Sequence, residues 1–155
     1  MAYDFNEART AIKTTLEGIT GDDSQPLLKT VFTGSPGILT LYMGNTAIFG
    51  LGDSKKANRP IGDRGSITSE GLLLLLTPGE SEDSYDTLET MISKVLAEIE
   101  DDKTLGVPGL RVEHELNNLI QRRSINITPK ANEPTLCAGA IIPLDVTVVN
   151  KKVTS

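Results

Sequence analysis

The sequence predicts an α+β domain in which a mixed, mostly antiparallel sheet packs against two amphipathic helices. Three observations predict it. Leu88, Met91, Ile92, Val95, Leu96 and Ile99 recur at three- and four-residue steps, the apolar stripe of a helix. Phe5, Ala8, Ile12 and Leu16 repeat that spacing near the start of the chain. Ile142, Leu144, Val146 and Val148 instead alternate with Pro143, Asp145 and Thr147, the period of a strand with one solvated face. Runs of helix and strand that do not alternate regularly point to α+β.

The first helix is expected over Asp4 to Leu16. Asp4 and Glu7 have capping-box spacing, and Gly18 and Gly21 end the helix. A polar loop follows to Pro26. Leu27 to Phe32 is a short strand candidate, and Thr33-Gly34-Ser35-Pro36-Gly37 is a turn by composition. Ile38 to Met43 alternates as a strand, and Thr46 to Leu51 continues as a further strand or extended segment. Residues 52–66 form the most polar long loop, with Lys55, Lys56, Arg59 and Arg64 opposed only by Asp53 and Asp63. Loops of this length in a compact domain are more often functional or disordered than idle.

Ile67 to Leu76 contains five consecutive leucines, closed at once by Thr77-Pro78-Gly79. The short run and abrupt stop predict a central strand buried on both faces. The second helix follows, with Asp83 or Ser84 as its cap and Asp86 and Glu89 near the positive end of its dipole. Its polar face leaves it dependent on docking, with the leucine strand as its partner. Gly106, Pro108 and Gly109 stop it. Further strands are expected over Gly109 to Glu115, Ser124 to Thr128 and Ala138 to Val149. In the middle one, Ile125 and Ile127 point inward. Asn150 to Ser155 is a polar tail, expected to be mobile.

At 155 residues the chain suits one domain, 1–155, and a chain of that length buries roughly 70% of its unfolded surface. The net charge of −6 argues against general affinity for nucleic acid. Scarce aromatics and the absence of Trp argue against base-stacking platforms. Cys137 is the only cysteine, so an internal disulfide is impossible and a cytosolic setting is expected. The N-terminal residues lack the layout of a signal peptide, and Leu72 to Leu76 is too short to span a bilayer.

Enzyme templates do not match. Thr33 to Gly37 has its glycines at the wrong spacing for a nucleophile elbow, and Gly50 to Lys56 lacks the Gly-Lys-Ser/Thr order of a phosphate loop. His114 is the only histidine, flanked by Glu113 and Glu115 that a strand turns to the opposite face. Cys137 has no activating neighbour in sequence. The acidic clusters at Asp22-Asp23, Glu80 to Asp83 and Glu100 to Asp102 lack calcium-loop spacing. No catalytic residue, cofactor site or metal site is therefore expected. The candidate interface residues are Lys55, Lys56, Arg59, Arg64, Arg122 and Arg123. They suit phosphate contact or a partner-facing rim.

The order of elements resembles the tail terminator (tail completion) proteins of long-tailed bacteriophages. Three stretches carry the resemblance. One is the Phe5 to Leu16 helix with its following Gly-Ser-Pro turn and apolar strand. Another is Leu72 to Gly106, ending in Asp101-Asp102-Lys103-Thr104-Leu105-Gly106. The last is Ser124 to Val149, with Ala138-Gly139-Ala140-Ile141-Ile142-Pro143-Leu144. Related neck and head-completion proteins share much of this layout.

The resemblance implies a virion protein of the tail or neck, assembled in the host cytoplasm. It implies a homo-hexameric ring that caps the tail tube, ends its polymerisation and joins the tail to the head. Its implied partners are its own copies, the tail tube protein and a head–tail connector or stopper. DNA passes through the bore without specific binding, and no membrane is involved. Two alternatives remain from the residues: a DNA-binding accessory protein using the basic loop and Arg122-Arg123, or a small enzyme built around His114 or Cys137.

Overall fold

The structure is a computed structural model, and it describes residues 4–34, 44–56, 65–115, 119–127 and 135–149. Two helices and six strands follow in the order α1 (Phe5–Glu17), β1 (Thr30–Thr33), β2 (Thr46–Lys56), β3 (Ser66–Pro78), α2 (Glu82–Asp101), β4 (Leu110–Glu113), β5 (Gln121–Ile127) and β6 (Thr135–Val149). The strands form one sheet in the order β1-β2-β3-β6-β4, with β5 also on β6. Among these described strands β1–β2 pair in parallel and the other pairs are antiparallel. The expected α+β class is the one observed.

Both helices start as the chemistry of orphan N–H groups requires. Asp4 caps α1 by accepting from the Glu7 N–H at 2.9 Å, as its spacing predicts. On α2 the cap is Ser81, which accepts from the Ser84 N–H at 3.3 Å. This corrects the expected Asp83 or Ser84. The helix starts earlier because Gly79, at φ 88°, turns the chain directly after β3. Ser84 instead donates its hydroxyl to Pro78 O at 3.0 Å, tying the helix to the strand before it.

One face of the sheet carries the main core. Ala8, Ile12 and Leu16 of α1 and Leu88, Met91, Ile92, Val95 and Ile99 of α2 pack with Ala47, Phe49, Leu73 and Leu75. Ala138, Ala140, Ile142, Leu144, Val146 and Val148 of β6 complete it. Phe49 is 1% exposed, and its ring lies over Gly71, where a Cβ would sit 2.8 Å from it. A side chain at position 71 would occupy the space the ring fills.

The leucine run is not buried on both faces. Leu73 and Leu75 are fully buried under the helices, Leu74 is half-buried, and Leu72 is 56% exposed. Both helices dock on the same side of the sheet. On the opposite face, among the described residues, Leu76 and Cys137 form a small cluster with Ile48, Leu74 and Ile125. Ile125 thus points to that outer cluster rather than the main core, against expectation.

Several boundaries shift, and β2 and β5 extend because pairing to a neighbour outweighs local composition. β1 is only Thr30–Thr33, four residues, and Leu27 lies outside it. β2 runs on to Lys56 through a bulge between Leu51 and Ser54, so Gly52 to Lys56 are strand, not loop. β5 begins at Gln121, which places Arg122 and Arg123 on a strand. β4 stops at Glu113, before His114. The expected strand at 38–43 and the tail at 150–155 lie outside the described residues.

β4 and β5 share one edge of β6. β4 pairs with residues from Asp145 to Val148, and β5 with those from Thr135 to Ile141. Pro143 falls between the two paired stretches, where a missing N–H interrupts no ladder on that edge.

Asn45 joins three segments. Its amide donates to Leu27 O at 3.1 Å, its side-chain oxygen accepts from the Thr77 hydroxyl at 2.7 Å, and its backbone carbonyl accepts from the Lys29 N–H at 2.9 Å. Thr77 is buried, so removing its acceptor leaves an unsatisfied hydroxyl. Asn45→Ala is expected to lower stability by about 1–3 kcal/mol, measured by denaturant titration. A change below the error of that titration would show the amide bonds to be dispensable.

Candidate assembly surface

Of the basic candidates, Lys55 and Lys56 lie on β2, and Arg122 and Arg123 on β5. Lys55 and Lys56 are the last residues of β2, opposite Thr68 and Ile67 in the ladder. Arg59 and Arg64 lie outside the described residues, between the ends of the β2–β3 hairpin. Arg122 and Arg123 are neighbours on β5, and successive strand residues point to opposite faces. Arg122 Nε and Nη2 donate to the two carboxylate oxygens of Glu89 on α2. This bond holds the guanidinium pKa above its ordinary value. Arg122 therefore fastens the β5–β6 hairpin to the helix. Tyr85 and Ser124 reinforce that junction through a hydroxyl pair at 2.8 Å. Arg123 is exposed on the other face, where its guanidinium donates to Gln121 Oε1.

Cys137 lies on β6, and His114 follows β4. Cys137 is 1% exposed among Leu76, Ile48 and Ile125, and burial pushes its thiol pKa up. A raised pKa disfavours the reactive thiolate. His114 is half-buried just past β4. Among the described residues no three His, Cys, Asp or Glu side chains converge on a metal-sized site. No described helix is long and apolar enough to cross a membrane.

The acidic clusters are mostly local structure. Asp102 accepts from the Thr104 hydroxyl at 2.6 Å, the Thr104 N–H at 3.0 Å and the Gly106 N–H at 3.1 Å. The Thr104 hydroxyl bond leads in holding its carboxyl below the usual range. Leu105 and Gly106 both take positive φ in this turn, 49° and 76°. The acidic-Thr-Leu-Gly stretch is thus a side-chain-templated turn that ends α2 and leads the chain to β4. Asp22 pairs with Lys94 at 3.2 Å.

What composition does not show is the outer face of the sheet. There β2, β3, β5 and β6 frame an open groove of about 1050 Å³. Its floor includes Ile48, Leu72, Leu74, Ile125, Ile141 and Pro143. Gly50 deepens it, since a Cβ there would meet no atom within 4 Å. Among the described residues its rim carries Asp53, Glu70, Glu115 and Asp145 against Arg123.

Asp145 stands opposite Glu70 on one neighbouring strand and opposite Glu113 on the other. Glu113 is neutralised by Arg111 at 3.1 Å and Lys103 at 3.5 Å, and the Arg111 bond leads in keeping its pKa low. Among the described residues no cation pairs with Asp53, Glu70 or Asp145. Like charges directly across a ladder are unfavourable. The signal that could have located this groove is the parity of the leucine run. Leu72, Leu74 and Leu76 share a face that no amphipathic helix is left to cover.

No protein-family model matches the chain, and neither does any curated protein. Among solved structures the chain is similar to the PVC sheath/tube terminator of an extracellular contractile injection system, determined by cryo-EM in its extended state. The likeness has a TM-score of 0.55 at 14% sequence identity. It covers 100% of this chain and 62% of that one, so this chain spans less than two thirds of the terminator's length. At that identity the likeness concerns the backbone, and it establishes that the α+β fold described here is terminator-like.

Proposed function

We propose that this chain is a structural, non-enzymatic tail-terminator subunit, a virion protein of the tail or neck. Copies form a ring, a hexamer matching a sixfold tube, that caps a bacteriophage tail tube, stops its growth and offers its far side to the head connector. The observation that carries this reading is the match of the whole chain to a sheath/tube terminator. The helix–turn, strand–helix and hairpin order of the sequence supports it independently. A ring follows when a heterologous contact closes by rotation. The carboxylates of the outer face, Asp53, Glu70 and Asp145, which pair with no cation among the described residues, also fit a protein past which DNA moves without being held, since they repel phosphate.

Light scattering and negative-stain microscopy of the purified protein, alone and with tail tubes, test this. A sixfold ring, free or at tube ends, is the expected result. Charge reversal at Lys55, Lys56 and Arg59 is expected to impair assembly without unfolding the chain. A strict monomer that never engages tubes overturns the reading. Retention of a short DNA duplex at low salt, lost as salt rises, would favour the DNA-binding alternative.

A further inference from the structure

We infer that β5 is a releasable strap: it lifts off the edge of β6 as a unit while the rest of the fold stays intact, and polar ties to α2 hold it down. The inference rests on the fold alone and stands apart from the ring reading above.

The strap differs from every other strand in what it buries. β1 puts Val31 into the main core, β2 Ala47 and Phe49, β3 Leu73 and Leu75, β4 Leu110 and Val112, and β6 the row from Ala138 to Val148. From Gln121 to Asn126, β5 puts in none. Its helix-side positions are Arg122, Ser124 and Asn126, all polar and all exposed. On the other side Ile125 is half-buried against Cys137, its partner directly across the ladder. Ile120, one residue before β5, does pack against the main core and anchors that end.

Polar ties take the place of buried apolar area. Arg122 bonds both carboxylate oxygens of Glu89, and the Tyr85 and Ser124 hydroxyls meet at 2.8 Å. The ion pair is open to solvent, with its side chains 43% and 52% exposed. Exposed pairs add little stability. A strand with few buried apolar contacts opens at a lower free energy than the whole domain. The β6 strand does not depend on β5 for its place. Its other edge pairs with β3 along the whole stretch from Cys137 to Val149. Release of β5 therefore bares the β6 edge between Thr135 and Ile141 without unfolding the sheet. It also removes Ile125 from Cys137, which is 1% exposed while the strap is down.

The test reads opening at two places in the purified full chain. The Cys137 thiol is labelled with a small aromatic disulfide in the absence and presence of low denaturant, and amide hydrogen exchange is followed along the sheet. Labelling is expected to proceed at least tenfold faster than global unfolding allows, with a weaker dependence on denaturant than the global transition. The amides of residues 121–127 are expected to exchange with the same opening constant as the thiol, ahead of those of β3. Glu89→Gln is expected to raise the labelling rate by about 1.5- to 5-fold. Tyr85→Phe, which keeps the ring, is expected to raise it by about two- to tenfold. Both variants are expected to keep the wild-type denaturation midpoint.

Labelling and exchange that follow the global transition would overturn the inference. Wild-type labelling rates in both variants would overturn it, because the ties would then hold nothing. A faster rate matched by an equal loss of global stability would overturn it too, since the ties would then serve the whole domain.

Discussion

Leu73→Ala is expected to destabilise the fold by about 3–4 kcal/mol, while Leu72→Ala, one residue away, costs less than about 1 kcal/mol. Leu73 is fully buried in the main core between the sheet and the helices, so its removal forfeits transfer energy and leaves a cavity. Leu72 is 56% exposed on the outer face, where truncation leaves no cavity. For a chain of this size the first change lowers the melting temperature by roughly 6–16 °C and the second by less than about 4 °C. Calorimetry of the two variants checks this. Equal losses would mean that the outer face is as well packed as the inner one, and would remove the groove.

Phe49→Ala is expected to cost about 3–5 kcal/mol, and Gly71→Ala about 1–3 kcal/mol, for opposite reasons. The first empties the space over Gly71. The second drives a methyl to within 2.8 Å of a ring that is only 1% exposed and has little room to yield. The two positions share one space, so their effects should not add. Combining Gly71→Ala with Phe49→Leu is expected to cost at least about 0.5 kcal/mol less than the sum of the separate changes. Denaturant titration of the four proteins closes the cycle. Strict additivity would show that the ring and the glycine do not compete. The pair also explains why a glycine is tolerated in the middle of a central strand. It is the hole into which a neighbouring strand's aromatic fits, and the ring covers backbone that a glycine leaves bare.

Part of the surface was also open to reading from sequence. The basic character of 55–64 is composition, and so is the acidic tone of the chain. The separate fates of Arg122 and Arg123 were not legible as a site. The strand turns them to opposite faces, and only the position of Glu89 on α2 shows that Arg122 is held within the subunit. The groove was missed because five leucines in a row look equally buried. Their parity matters only once both helices are known to lie on one side.

Local periodicity by itself determined the two helices, the Asp4 cap, the strand character of β3 and β6, and hence the α+β class. Those features follow from interactions between residues a few positions apart, where burial writes a period of 3.6 or 2 directly into the chain. Tertiary structure alone decided the order β1-β2-β3-β6-β4, the sharing of one β6 edge by β4 and β5, the extension of β2 to Lys56, and the exposed outer face. Each of these depends on which distant segment supplies the hydrogen-bond partner or the covering side chain. Neighbouring residues do not encode that choice. The same asymmetry shapes the surface: both helices lie on one face, and among the described residues the other carries a small cluster around Leu76 and Cys137.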